Sequence, residues 1–148
     1  MRGATVYTVS DSASDDEAAR LAEQENKADA IAGVDLSAEP EEVADILIDL
    51  TQRETKNFSA HFARAVVGEL KNAAKLHKHP LKSAGFKVLK APDVPSVLIE
   101  LGYVSNKQDL KLMTSDAWRA RTADALAQAV NTFFSTRLAG SGPARSGN

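Results

Sequence analysis

One carboxylate stands out in this chain because of the residues around it. Residues 93–106 form a short apolar run bounded by turn-forming residues, a pattern that predicts a fully buried strand of the parallel-sheet kind. Glu100 interrupts that run near its end. A buried carboxylate is costly unless it is paired, hydrogen-bonded or bound to a cation, and ligands of open α/β sheets bind beyond the carboxyl ends of the strands. Glu100 is therefore the first candidate for chemistry, with a structural role as strand-end cap or lysine partner as the alternative.

The histidines are weaker candidates for chemistry, and the chemistry that they would indicate is metal binding. His77 and His79 lie two residues apart in front of Pro80, a spacing that could form a metal clip. Exposed histidines near the C-terminal end of a helix more often interact favourably with the helix dipole. His61 is predicted inside a helix, beside a stripe of aromatic residues, as a surface or boundary residue.

Length and composition indicate one globular domain. The chain has 148 residues, of which 43% are hydrophobic and 26% charged, as is ordinary for a soluble protein. A net charge of −2 gives no basic footprint, so nucleic acid is not an expected partner. Cysteine is absent, which excludes disulfides and thiolate metal sites. We expect no membrane span, and residues 1–7 are not typical of a signal peptide.

The order of elements predicts an α/β fold with a twisted, mostly parallel sheet flanked by helices. Only three strands are predicted, and the first begins almost at Met1, so we expect further strands upstream of a chain cut from something longer. The predicted strands cover 6–9, 85–90 and the segment from Val97. The predicted helices run from N-caps at Ser12 or Ser14 to about Ile31, from Pro40 to Leu50, from Glu54 to Leu76, over 106–113 with Ser105 as N-cap, and over 115–138.

The last helix is predicted to bury one face, and the chain after it to be a tail. Its inward residues are expected to be Trp118, Leu126, Val130, Phe133 and Phe134. Glycine, serine and proline dominate residues 139–148, a composition that favours a flexible tail.

Two segments of the chain resemble one enzyme family, the zinc-dependent N-acetylmuramoyl-L-alanine amidases of bacterial cell division. The first combines GATVYTVS at 3–10 with SDDEAA at 14–19 and LAEQEN at 21–26. The second is FKVLKAPDVPSVLIELGYVSN at 86–106. The resemblance extends from Arg2 to about Leu138, with the motifs in the family's order and spacing. It implies an amidase-like three-layer fold, here without its N-terminal strands.

The resemblance also implies an activity and a division of the chain. Enzymes of this family cleave the amide between N-acetylmuramic acid and L-alanine of the peptidoglycan stem peptide. Two histidines and a glutamate hold their zinc, and a further glutamate, at the position of Glu100, is the catalytic acid/base. The three ligands precede the first strand, so we expect them N-terminal of Met1. Residues 1–138 would then be a partial catalytic domain, inactive alone and without a tight zinc site. The family is periplasmic.

The same resemblance suggests regulation through residues 34–57. In division amidases a helix in this region covers the zinc site until a protein activator displaces it. Glu41 and Glu42 are candidates for reaching the metal, and Ile46 and Leu47 for docking the helix. The alternative is a plain amphipathic helix, because acidic first turns are common for dipole reasons alone. Lys82 replaces a frequent arginine of the family and could order acidic groups of the site or be solvated.

A second function, from another class, stays open at this point. The chain could be a non-catalytic remnant that binds division activators through residues 34–57 and cleaves nothing. An upstream coding extension with the histidine–glutamate–histidine set would favour the enzyme, and a stop codon there would favour the remnant.

Overall fold

The computed structural model describes residues 2–31 and 45–140, and within them not the side chains of 29–31, 45–48 and 137–140. A short 3₁₀ helix, Lys87–Leu89, follows the second strand. The other elements, in chain order, are β1 (Ala4–Val9), α1 (Asp16–Ile31), α2 (Asp45–Ala73), β2 (Leu76–Ala84), β3 (Leu98–Glu100), α3 (Lys107–Met113) and α4 (Asp116–Gly140).

The three strands form one mixed sheet with β1 in the centre. The order is β2-β1-β3, with β1 parallel to β2 and antiparallel to β3. The α/β class is thus confirmed, but the prediction that β3 is a fully buried, parallel-type strand is wrong. A parallel return needs a long crossover, whereas β2 and β3 are joined by a segment with only the 3₁₀ turn. The chain turns back instead, and the β3 side chains are only partly buried.

The second strand lies earlier in the chain than predicted. Residues 85–90 are not a strand, and β2 contains the His77–Pro80 segment that was expected to be a loop. Pairing with β1 jumps from Ala4↔Leu76 to Val6↔Leu81, so β2 has extra residues that bulge out of the ladder. Proline is tolerated at such a bulge because it does not have to donate a ladder hydrogen bond.

The two central helices predicted as separate are one helix. α2 runs without a break from Asp45 to Ala73, because residues 51–53 between the two predicted helices include neither glycine nor proline. It ends three residues before the predicted end, since Leu76 already pairs with β1. The part predicted before Asp45 lies outside the described residues.

Two helices begin on caps other than the predicted serines. The Asp15 carboxylate accepts the Ala18 N–H at 2.8 Å at the start of α1. The Asn106 side chain accepts the N–H groups of Gln108 and Asp109 at the start of α3. Aspartate and asparagine are at least as good N-caps as serine. Ser14 instead accepts the Ser83 N–H and so joins the approach to α1 to β2.

Side chains of β1 alternate between two separate cores. On one face Ala4 and Val6 pack against α2 and α4, through Ala63, Val66, Leu70 and Ala129. On the other face Tyr7 packs against α1 and the turn after β2, through Ala18, Ala22, Ala84, Phe86 and Leu89. Period-2 alternation of a strand buried on both sides produces this division. It places helices on both faces of the sheet, as expected for the fold class.

The inward face of α4 is narrower than predicted. Trp118 and Phe133 are buried, whereas Val130 and Phe134 are exposed at 39% and 54%. α4 packs on α2 through small residues such as Ala63 and Ala129 and through the rings of Phe62 and Phe133, whose centroids lie 5.1 Å apart. Of the residues predicted as a tail, 141–148 lie outside the described part. No described helix combines the length and apolar character needed to span a membrane.

Candidate functional site

Glu100 ends β3 on the sheet face that carries Tyr7. Glu100 pairs with Thr5, and Tyr7 pairs with Leu98, so the tyrosine reaches Glu100 along the cross-strand diagonal. The Tyr7 hydroxyl donates to Oε2 of Glu100 at 3.0 Å. One oxygen of this partly exposed carboxylate is therefore fixed by Tyr7.

A second group of charged side chains lies beside this pair. Lys82, on β2, contacts Glu17 through a short hydrogen bond and Asp15 at 3.2 Å. Its side chain is only 2% exposed. The hydroxyl of Tyr103, in the loop after β3, donates to Oε1 of Glu17 at 3.0 Å. The start of α1, the end of β2 and the β3 loop therefore meet around one ammonium group.

The pKa values of this group follow from burial and pairing. Burial lowers the pKa of Lys82, but its hydrogen bonds to Glu17 and Asp15 outweigh that effect and raise it above the usual value. Burial likewise acts to raise the pKa of Glu17, and hydrogen bonds from Lys82 and Tyr103 hold it below its usual value. The pKa of Asp15 is lowered, above all by the Ala18 N–H. The ion pairs are therefore fully charged at neutral pH.

Both phenols stay protonated well above neutral pH. Burial, followed by the charge of Glu100, raises the pKa of Tyr7 and that of Tyr103. A phenol that cannot easily ionise is a permanent hydrogen-bond donor to a carboxylate.

Asp109 fixes the loop that follows Glu100. Its buried carboxylate accepts the N–H of Gly3 at 2.9 Å and that of Tyr103 at 3.2 Å, and it pairs with Arg2 at 3.2 Å. Burial opposes ionisation, but these donors hold the pKa of Asp109 below its usual value. Gly102 packs closely against the same side chain, since a Cβ on Gly102 would lie 3.1 Å from Oδ2 of Asp109. The loop is thereby attached to the start of β1.

The described residues do not fit the zinc site that the resemblance implies. No three His, Asp or Glu side chains in the described ranges are grouped closely enough to hold a metal ion. His61 and His79 are exposed, and Nδ1 of His77 accepts the His79 N–H at 3.2 Å. The carboxylates of Asp15 and Glu17 are paired with Lys82.

The other predicted site residues are only partly placed. Glu41 and Glu42 lie outside the described residues. Ile46 and Leu47 lie in the first turn of α2, and their side chains are not described. Lys82 is placed: it orders acidic groups and is not solvated.

Sequence reasoning missed four residues of this region. Tyr7 and Tyr103 were considered only as members of predicted strand or loop segments. Glu17 was considered only as an acidic residue in the first turn of a predicted helix, and Asp109 was not singled out. An available signal was that both tyrosines of the chain lie in the segments that carry the resemblance.

Comparison with known proteins identifies the family of this chain. The profile of the N-acetylmuramoyl-L-alanine amidase family matches residues 1–132, so the chain belongs to that family. Amidase AmiC of Neisseria meningitidis is 36% identical over 138 residues, which are 93% of this chain and 33% of that protein. AmiA of Escherichia coli is 35% identical over 133 residues, 89% of this chain and 46% of that protein. The chain thus spans a third to just under half of these relatives.

A solved structure supports the fold. The crystal structure of the N-acetylmuramyl-L-alanine amidase Ami1 from Mycobacterium smegmatis superimposes with a TM-score of 0.54 at 20% identity, over 91% of this chain and 48% of that chain. At that identity the likeness concerns the fold.

Proposed function

We propose that this chain supplies the acid/base carboxylate of a peptidoglycan amidase, which cleaves the amide between N-acetylmuramic acid and L-alanine of the stem peptide. The observation that carries the proposal is the state of Glu100. It ends a strand, one of its oxygens is fixed by Tyr7, and the carboxylate stays partly exposed. Membership of the amidase family gives this geometry its reaction class.

The proton chemistry assigned to Glu100 has two steps. Its carboxylate accepts a proton from the water that attacks the amide carbonyl. The resulting carboxylic acid then donates that proton to the departing nitrogen of L-alanine, and the carboxylate is regenerated. General acid–base catalysis of this kind contributes about 10²–10⁴-fold to the rate.

The catalytic test is Glu100→Gln in a chimera that joins this chain to the segment preceding the matched region in a curated relative. The substitution preserves side-chain shape and removes the proton acceptor. We expect amidase activity to fall by about 10²-fold or more, while zinc content and the melting curve stay unchanged. Near-parental turnover of purified peptidoglycan would make Glu100 structural, as its alternative role requires.

Zinc is assigned to residues that this chain does not contribute. The described side chains form no ligand set, and a catalytic zinc needs three protein ligands and an open position. We therefore expect the chain alone to bind zinc weakly and to release no stem peptide. Equilibrium dialysis with zinc and peptidoglycan digestion with and without chelator measure both. Chelator-sensitive cleavage by this chain would show that its own residues hold the metal.

The regulatory assignment rests on the first turns of α2. Among the α2 side chains that the structure describes, the first buried ones are those of Thr55 and Ser59, and Leu50 before them is 56% exposed. An uncovered leucine ahead of these buried residues suits a segment that docks elsewhere. We assign residues 34–57 to self-inhibition that a periplasmic division activator relieves.

Two pairs of variants in the chimera test self-inhibition. Glu41→Ala with Glu42→Ala should weaken occlusion of the metal. Polar substitutions of Ile46 and Leu47 should undock the helix and raise basal activity further. Release of dye-labelled peptidoglycan, beside thermal melts as a folding control, gives the outcome. Unchanged or lower activity in all variants with intact folding would leave the segment as ordinary packing.

A further inference from the structure

The site has two phenol–carboxylate pairs, and they are held in different ways. Tyr7 and Tyr103 are the two tyrosines of the chain. Tyr7 donates to Glu100 and Tyr103 donates to Glu17, each at 3.0 Å. Glu17 is in turn held by Lys82. The Tyr103 hydroxyl therefore donates to a carboxylate that is already in an ion pair, whereas the Tyr7 hydroxyl donates to Glu100.

The ring of Tyr7 is immobilised by its surroundings. It lies on the central strand with no exposed surface and packs edge-on against Phe86, with 5.4 Å between ring centroids and 62° between ring planes. Ala18 and Ala22 of α1 cover it in the same core. A ring held by core packing keeps its hydroxyl in one position. The core, and not the loop after β3, therefore fixes the donor of the hydrogen bond to Glu100.

Glu100 is less confined by its surroundings than Tyr7. It is the last residue of β3 and is partly exposed. The terminal torsion of a glutamate side chain is broad, with little intrinsic preference. One hydrogen bond from a fixed donor selects an orientation and distinguishes the two oxygens.

We propose that Tyr7 is a positioning residue of the amidase site, which holds Oε2 of Glu100 and so orients the carboxylate that carries the transferred proton. This rests on the proposed function, in which Glu100 is the acid/base, and adds the residue that aims it. Tyr7 does not touch the reacting atoms and acts only through Glu100.

The contact is tested on the chain itself by NMR with tyrosine labelled with ¹³C at Cζ, whose shift responds to hydrogen bonding of the phenol. Tyr7→Phe and Tyr103→Phe assign the two signals. We expect Glu100→Gln to move the Tyr7 signal more than that of Tyr103, and Glu17→Gln to do the reverse. A Tyr7 signal unmoved by Glu100→Gln would overturn the proposal. This measurement requires no activity, so it is independent of the proposed function.

The positioning role is tested by kinetics in the chimera. Tyr7→Phe should lower kcat about 10-fold or more, since misplaced catalytic groups cost about that much, and leave KM nearly unchanged. Val66→Ala is the matched control, because it removes buried volume on the opposite face of the sheet and should leave kcat intact. An unchanged kcat in Tyr7→Phe, or an equal loss in Val66→Ala, would overturn the assignment. If Glu100→Gln keeps full activity, the proposed function fails instead.

Discussion

Single residues in this protein show how a charged site can be assembled on a small sheet. Lys82 is nearly inaccessible to water, yet it faces two carboxylates and stays charged. A buried ion pair of this kind is weak support for stability as a whole, but removing one partner is costly because the other is left unpaired. The charge of Lys82 is therefore a requirement of the local fold once Glu17 and Asp15 are in place.

Lys82→Met should lower the free energy of unfolding by about 3 kcal/mol, the low end for breaking a buried pair, since both carboxylates retain some exposure. The double variant Lys82→Met with Glu17→Gln should recover part of the loss. Urea unfolding of the four proteins measures the coupling. Because the folded pKa of Lys82 is raised, its contribution is complete below the unfolded pKa and is lost as pH rises through the folded value. Additive effects of the two substitutions would contradict the pairing.

Asp109 should make the free energy of unfolding depend on pH in the acidic range. Asp109→Asn should cost about 1–3 kcal/mol at pH 7, because the backbone donors of Gly3 and Tyr103 lose a charged acceptor. The folded pKa of Asp109 is lowered, so its contribution is present above the unfolded pKa of about 3.9 and is lost as pH falls through the folded value. Thermal melts of both proteins from pH 7 to pH 2 should therefore converge in acid. A difference that does not shrink as the pH falls would assign the loss to packing.

At the scale of single residues, the sequence indicated a site residue only where its type differed from those of the adjacent residues. Glu100 was found because a carboxylate in an apolar run is conspicuous. Tyr7 and Glu17 were not, because a tyrosine in a strand and an acid in a first helical turn are ordinary. Their roles arise only where β1, α1 and β2 meet, and no local pattern specifies that meeting.

At the scale of elements, helices were easier to predict than strands. The helix predicted from Glu54 lies largely within α2, where Val66 and Leu70 are buried, because helical periodicity accumulates over many turns. β2 was missed because its bulge and Pro80 conceal the alternation that marks a strand. The direction of β3 was missed because a short apolar run carries no information about the orientation of its neighbour.

Two glycines offer a matched test of element geometry. Gly3 has φ +91°, and a Cβ there would lie 2.7 Å from the carbonyl carbon of Leu76, whereas a Cβ on Gly68 in α2 meets nothing within 4 Å. Gly3→Ala should destabilise by at least about 1–3 kcal/mol through backbone strain. Gly68→Ala should stabilise by up to about 1 kcal/mol, since alanine is the better helix former. Thermal melts compare both with the parent, and equal shifts would contradict the register of β1 with β2.

At the scale of the whole molecule, two cores on opposite faces of one sheet carry the fold. The class could be predicted from the order of elements and from the resemblance. The mixed strand directions could not, since they depend on how the chain returns after β2. Neither core includes a histidine, so the framework of the described residues stands on packing.

Metal removal should therefore leave the folding of this chain unchanged. We expect equal melting temperatures with added zinc and with chelator, because a ligand stabilises only the state that binds it. Scanning calorimetry under both conditions measures this, with the chimera as the control in which chelator should lower the transition. A lowered transition for the chain alone would reveal a metal that its own residues hold.

The central position of β1 has a consequence for how the protein is made. β1 leaves the ribosome long before its partners, β2 and β3, have been synthesised. At about 5–20 residues per second, both edges of β1 remain open for several seconds, and open strand edges invite pairing with other chains. Nascent chains of this protein should therefore engage holding chaperones early in translation, and release should follow the synthesis of β3.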